Sequence, residues 1–228
     1  MQTYIVATIK PWNLDVYKRI ISRYPGRWFV ISDPKRLTSA FIEKTCPTYI
    51  FFPHWSWKVP KPILDAVPCV CFHETDLPYG RGGSPIQNLI VRGHKKTMIS
   101  AIRMEEGIDT GPIYLKKAVT LSGSAEQIFK RNATVVAGMI RAMIKKSIQP
   151  KAQRGRVVVF KRRIPLDSDI ARLSKPTLEK VYDLIRMLDA DTYPHACLKT
   201  KGIHLEFRRA QKKGDTITAE VTITKSPL

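Results

Sequence analysis

The sequence predicts an α/β protein built on a parallel sheet and followed by a small α+β domain. Three observations predict it. Short β-branched and aromatic runs alternate with helical patterns over residues 1–150, as in strand–helix–strand units. A polar break, Gln149-Pro-Lys-Ala-Gln-Arg-Gly155, follows the longest helical pattern and places a domain boundary there. Residues 156–228 then read as one helix and a pair of alternating strands,.

Taken in order, Tyr4 to Ile9 is a buried-type strand, and Asn13 is placed to cap a helix from Leu14 to Arg23,. Trp28 to Ser32 reads as a strand, Asp33-Pro34 as a turn, and Thr38 to Lys44 as a short helix. Tyr49 to Phe52 and Cys69 to Phe72 are further strands, separated by a helical turn at Pro62 to Ala66,. Pro85 to Val91 looks helical, and Met98 to Met104 and Ile113 to Leu121 look like strands. Ser124 to Lys146 is the longest helix, with Ile128, Val135, Val136, Met139 and Met143 on one side,. Beyond the break come a strand at Val157 to Phe160, a helix at Thr177 to Asp189, and a hairpin of Ile203 to Ala210 with Thr216 to Ile223,.

Composition narrows the classes. No stretch approaches the ~20 consecutive apolar residues of a bilayer-crossing helix. Met1 leads directly into the first strand without a basic, signal-like segment, so a cytoplasmic location is expected. The four cysteines, Cys46, Cys69, Cys71 and Cys197, form no CxxC pair and no zinc-spaced cluster, so reduced thiols and no metal are expected. No GxGxxG follows the first strand, which argues against a dinucleotide. The formal charge of +20 is spread along the chain rather than gathered in one arm. A solvated basic surface therefore accounts for it better than a polyanion site.

Open α/β sheets bind ligands at the carboxyl ends of their strands. His54 and His73 both fall just after strands. His73 heads a loop rich in turn-forming residues, Thr75-Asp-Leu-Pro-Tyr-Gly-Arg-Gly-Gly83, and a second loop, Gly107-Ile-Asp-Thr-Gly111, carries Asp109,. A histidine and a carboxylate on two such loops can serve as a general base and its partner.

The set His73-Glu-Thr-Asp-Leu-Pro78, Arg81-Gly-Gly-Ser-Pro85 and Gly107-Ile-Asp-Thr-Gly111 resembles the folate-dependent formyltransferases. Lys161-Arg-Arg-Ile-Pro-Leu-Asp-Ser-Asp-Ile170 and Ile185-Arg-Met-Leu-Asp…Tyr193-Pro-His-Ala196 look like second-domain motifs of nucleotide-sugar N-formyltransferases. The resemblance implies a Rossmann-like formyltransferase core, with 10-formyltetrahydrofolate as co-substrate and the primary amine of a UDP- or dTDP-linked amino sugar as acceptor. It also implies surface-glycan biosynthesis, possible homodimers and no nucleic-acid partner. Two alternatives stay open: a methionyl-tRNA formyltransferase, which the charge favours, and a formyltransferase-like protein that binds but transfers poorly.

On this reading His73 takes the proton of the attacking amine and Asp109 orients and stabilises its ring. Phe52 and His54, in the aromatic segment Tyr49 to Trp57, with Tyr79, Gly80, Arg81 and Gly82, are assigned to the folate. Lys10, Trp12, Asn13 and Thr75 are assigned to the acceptor, and Arg162 and Arg163 to its diphosphate. Core packing explains Trp12 and the strand aromatics equally well. Position 71 departs from the family: an asparagine that would donate to the developing oxyanion is Cys71 here, and a thiol is a poorer donor,.

Overall fold

The computed structural model describes residues 1–191 and 193–226. Its first half is β1 (Thr3–Ala7), α1 (Pro11–Arg19), β2 (Arg27–Ile31), α2 (Ser39–Thr45), β3 (Tyr49–Phe52), α3 (Lys61–Ala66) and β4 (Cys69–His73). Then come β5 (Tyr79–Gly82), α4 (Pro85–Val91), β6 (Lys96–Arg103), β7 (Ile113–Thr120) and α5 (Ala125–Lys146). The chain ends in β8 (Val158–Phe160), α6 (Leu178–Leu188), β9 (Ala196–Lys199), β10 (Ile203–Lys213) and β11 (Thr216–Lys225).

The main sheet has the order β2-β1-β3-β4-β6-β7. The pairs β1–β2, β1–β3 and β3–β4 are parallel, each reached through a helix, whereas β4–β6 is antiparallel. The sheet is thus parallel-rich, as α1, α2 and α3 require. Because side chains alternate across a strand, its two faces bury different sets. Ile5, Ala7, Ile31, Ile50, Phe52 and Cys69 pack with Ile42 of α2 and Ile63 of α3 on one. Tyr4 stacks near Trp28 (centroids 4.7 Å apart), and Phe51 lies 6.4 Å from Tyr4 and 6.3 Å from Phe72.

Several elements differ from the sequence reading. Helix α1 begins at Pro11, so Asn13 sits inside it and caps nothing. Proline at the first helical position has a pre-set φ and no N–H to satisfy. The buried Asn13 amide instead donates to Thr8 Oγ1 and to the Pro53 carbonyl, both at 3.3 Å. On α5, Ile128, Val136, Met139 and Met143 are buried but Val135 is only half-buried. Strands β5 and β9 were not expected at all: β5 lies in the glycine-rich loop, whose composition reads as turn.

By contacts the chain forms two compact units that interleave along the sequence rather than dividing at the 149–155 break. Residues 1–82, 97–119 and 129–159 form the first, so the break itself lies within it. Residues 83–96, 120–128 and 160 onward form the second. There the sheet β11-β10-β9 packs against α6, and α6 against α4. Among the described residues no helix is long and apolar enough to cross a membrane.

Candidate active site

His73 ends β4 with its side chain almost fully buried. Its Nε2 lies 2.7 Å from the Gly80 carbonyl, which only accepts, so Nε2 carries a proton,. Nδ1 faces Asp109 Oδ2 at 3.5 Å, an ion-pair distance longer than a hydrogen bond,. Orientation of the ring, expected from Asp109, therefore comes from Gly80. In the neutral ring the lone pair is on Nδ1, next to a carboxylate that stabilises positive charge there.

Asp109 itself is held from several directions. Its backbone is left-handed (φ +54°), and Oδ2 accepts the Gly82 amide at 2.9 Å. Gly82 has φ +101°, a conformation L side chains rarely adopt,. In the Gly-Ile-Asp-Thr-Gly motif, a Cβ on Gly111 would stand 1.8 Å from the Arg103 carbonyl, so only glycine fits. Gln153, which sequence reasoning missed, donates from Nε2 to the carbonyls of Asp109 and Gly111, both at 2.8 Å. Its Oε1 accepts from Arg81 Nε (3.2 Å) and Nη2 (2.8 Å). No motif marks Gln153, which lies in a polar stretch that composition assigns to a linker.

A second histidine–carboxylate pair lies beside the first. His54 has φ +52°, and its Nδ1 accepts from Trp12 Nε1 at 3.3 Å, which leaves its proton on Nε2. Nε2 faces Glu74 Oε1 at 3.0 Å. Burial pushes the Glu74 carboxyl up, but the His54 and His73 rings and the Asn132 amide outweigh it, and the group rests below the ordinary carboxylate range,. Phe129 stacks on Trp12 (5.0 Å, 13°) and meets His54 edge-on (4.9 Å). Glu74 was quoted in the motif but given no role, because a carboxylate read in sequence has no visible partner.

Cys71 pairs with Phe52 of β3 and Ile102 of β6, two residues before His73 and on the same strand face,. Burial, and then the Asp109 carboxylate, push its thiol far above the ordinary range. It is a neutral thiol and not a thiolate nucleophile.

The other expected site residues are placed as follows. Phe52 is fully buried in the sheet core, 5.8 Å from Trp55. Tyr79, Gly80, Arg81 and Gly82 form β5, where the Gly80 carbonyl, Arg81 guanidinium and Gly82 amide are engaged by His73, Gln153 and Asp109. Thr75 is buried and donates to the Gly80 carbonyl at 3.3 Å. Trp12 and Asn13 are buried, and half-buried Lys10 has its amine 5.6 Å from the Trp12 ring centroid, its pKa lowered by burial. In the second unit, Arg162 is exposed with its backbone against Gly83. The Arg163 amide donates to Ser84 Oγ at 3.1 Å, and its guanidinium to the Asp167 carbonyl. Arg186, of the Ile185-Arg-Met-Leu-Asp segment, makes a buried pair with Asp183 (2.7 Å) and donates to the Leu121 and Gly123 carbonyls. That segment has a structural use.

A family model described as "Formyl transferase" matches residues 35–142, and one described as "Methionyl-tRNA formyltransferase, C-terminal domain" matches residues 165–224. A solved methionyl-tRNA formyltransferase from Clostridium thermocellum is 43% identical over 99% of this chain and 100% of that one, with a TM-score of 0.95. The curated methionyl-tRNA formyltransferase of Sulfurimonas denitrificans is 33% identical over 131 residues, 54% of this chain and 43% of the relative. The chain spans less than half the length of the first curated relatives it matches. A 4-N formyltransferase from Francisella tularensis shares the fold (TM-score 0.68) at 16% identity over 88% of this chain and 93% of that one.

These findings overturn the nucleotide-sugar acceptor, and with it the surface-glycan role and the exclusion of nucleic acid. The relatives at 30–43% identity are methionyl-tRNA formyltransferases. Most of the segment that carried the sugar resemblance falls inside the region matching their C-terminal domain.

Proposed function

Since the chain belongs to the formyltransferase family, we propose that it transfers a formyl group from 10-formyltetrahydrofolate to the α-amine of methionyl-tRNA. The observation that carries the chemistry is the His73 ring, with Nε2–H bonded to the Gly80 carbonyl and Nδ1 facing Asp109. An amine attacks only as the free base, and the proton it sheds needs an acceptor as the new C–N bond forms. His73 Nδ1 takes that proton, and the Asp109 carboxylate, 3.5 Å away, stabilises the imidazolium,. The proton then passes to the departing folate nitrogen as the C–N bond to the formyl carbon breaks. The folate supplies the activated formyl carbon.

Residues suited to the folate are those around the strand ends: His54, and the aromatic Trp55–Trp57 pair after β3 with centroids 5.1 Å apart. The buried Trp55 indole N–H has no protein partner and so suits a polar ligand,. The acceptor assignment rests on the end-to-end match at 43% identity. The net charge of +20 suits a polyanionic substrate,.

The test is formylation of methionyl-tRNA by the purified chain with 10-formyltetrahydrofolate, read as acid-precipitable formyl-methionyl-tRNA. Product formation that weakens as salt rises is expected. Absence of product with intact methionyl-tRNA would overturn the acceptor.

A further inference from the structure

We infer that Gln153 is a positioning residue for Asp109, and that with Arg81 it forms a brace that sets the carboxylate against His73. A glutamine amide has two donor hydrogens and an acceptor oxygen. Here both donors are used on the carbonyls of Asp109 and Gly111, and the oxygen takes two N–H groups of Arg81. The guanidinium fork fixes the plane of the amide, and its charge polarises the N–H groups toward the two carbonyls.

The connections close a ring. Arg81 and Gly82 are consecutive in β5: the side chain of one holds Gln153, and the backbone amide of the other holds Asp109 Oδ2. Gln153 in turn holds the backbone of Asp109, whose left-handed φ needs support from its surroundings,. The carboxylate is fixed at its oxygen and at its own carbonyl, which leaves its distance to His73 Nδ1 little freedom. The segment bearing Gln153 is anchored by paired backbone bonds between Lys151 and Ile113, at 2.7 and 2.9 Å. A polar stretch that composition reads as a linker thereby belongs to the site.

The inference rests on the formyl-transfer reading, so its test carries a readout independent of turnover. In Gln153→Leu, kcat is expected to fall about tenfold or more, as for a small displacement of a catalytic group. KM for folate and for tRNA should stay within about twofold. In an Asp109→Asn background the same substitution should cost far less, because coupled residues are not additive. Amide exchange at Gly82 should quicken in Gln153→Leu, as its acceptor loosens. Gln153→Glu keeps the acceptor for Arg81 but loses the donors, and it should behave alike if the leucine variant folds poorly. A kcat within twofold of wild type, an equal loss in the Asp109→Asn background, or unchanged Gly82 exchange would each overturn the brace. A wild-type chain that formylates no amine would instead sink the formyl-transfer reading, while the exchange measurement still judges the brace.

Discussion

His73 Nε2 donates to the carbonyl of Gly80 across 2.7 Å, so a backbone oxygen seven residues downstream orients the ring. Asp109 Oδ2 stands 3.5 Å from Nδ1, an ion-pair rather than a hydrogen-bond distance,. This division of roles separates the expected behaviour of two substitutions.

For His73→Ala, the loss of the proposed proton acceptor is expected to lower kcat/KM by about 10²–10⁴. Steady-state formylation checks it. Activity within fivefold of wild type would remove His73 from the mechanism.

For Asp109→Asn, side-chain size is kept and the charge is removed. The imidazolium then lacks its partner, and kcat should fall about 10²-fold or more, with KM for folate little changed. A rise in KM at constant kcat would assign Asp109 to binding instead.

Burial pushes Cys69 up to about 12, and Cys71 higher still, whereas Cys46 is exposed. Brief iodoacetamide treatment of the native chain at pH 8 should label Cys46 and leave formylation intact. Mass mapping locates the label. Inactivation tracking alkylation of Cys71 would contradict a neutral, protected thiol. Cys71→Asn places at that position the stronger donor that the family resemblance implies, and is expected to raise kcat by up to the roughly 10²–10³ that one oxyanion donor is worth.

The Glu74 carboxyl rests below its ordinary range in the folded chain, because the neighbouring imidazoles outweigh burial. A group with a depressed folded pKa contributes stability that is present above the unfolded pKa and lost as pH falls through the folded value. Glu74→Gln should therefore lower the thermal midpoint at pH 7, and the gap should close as pH drops below about 4.5. Thermal melts at both pH values measure it. A gap that widens in acid would reverse the sign of the argument.

Much of the first unit was legible in sequence because its signals are local. Apolar runs such as Tyr49–Phe52 and Cys69–Phe72 gave strands with nearly the observed bounds, and the loop motifs singled out His73 and Asp109, which the fold brings within 3.5 Å of each other. Tyr79–Gly82 was read as a turn because two of its four residues are glycine, although pairing with β8 makes it a strand. Asn13 looked like a cap because capping chemistry is common at that spacing, yet Pro11 starts the helix earlier,. The basic run Lys161 to Arg163 suggested a diphosphate, but charge alone does not name a polyanion.

By itself, the sequence determined the fold class, the formyltransferase family and the two loops that carry His73 and Asp109. These depend on periodicity and on residue types at short spacing. Only the tertiary structure decided that Gly80 orients His73, that Gln153 holds Asp109 from 44 residues away, and that Glu74 pairs with His54. Hydrogen bonds and ion pairs between distant residues leave no periodic trace in a chain. They come into being when the sheet brings strand ends together and burial removes the competing water.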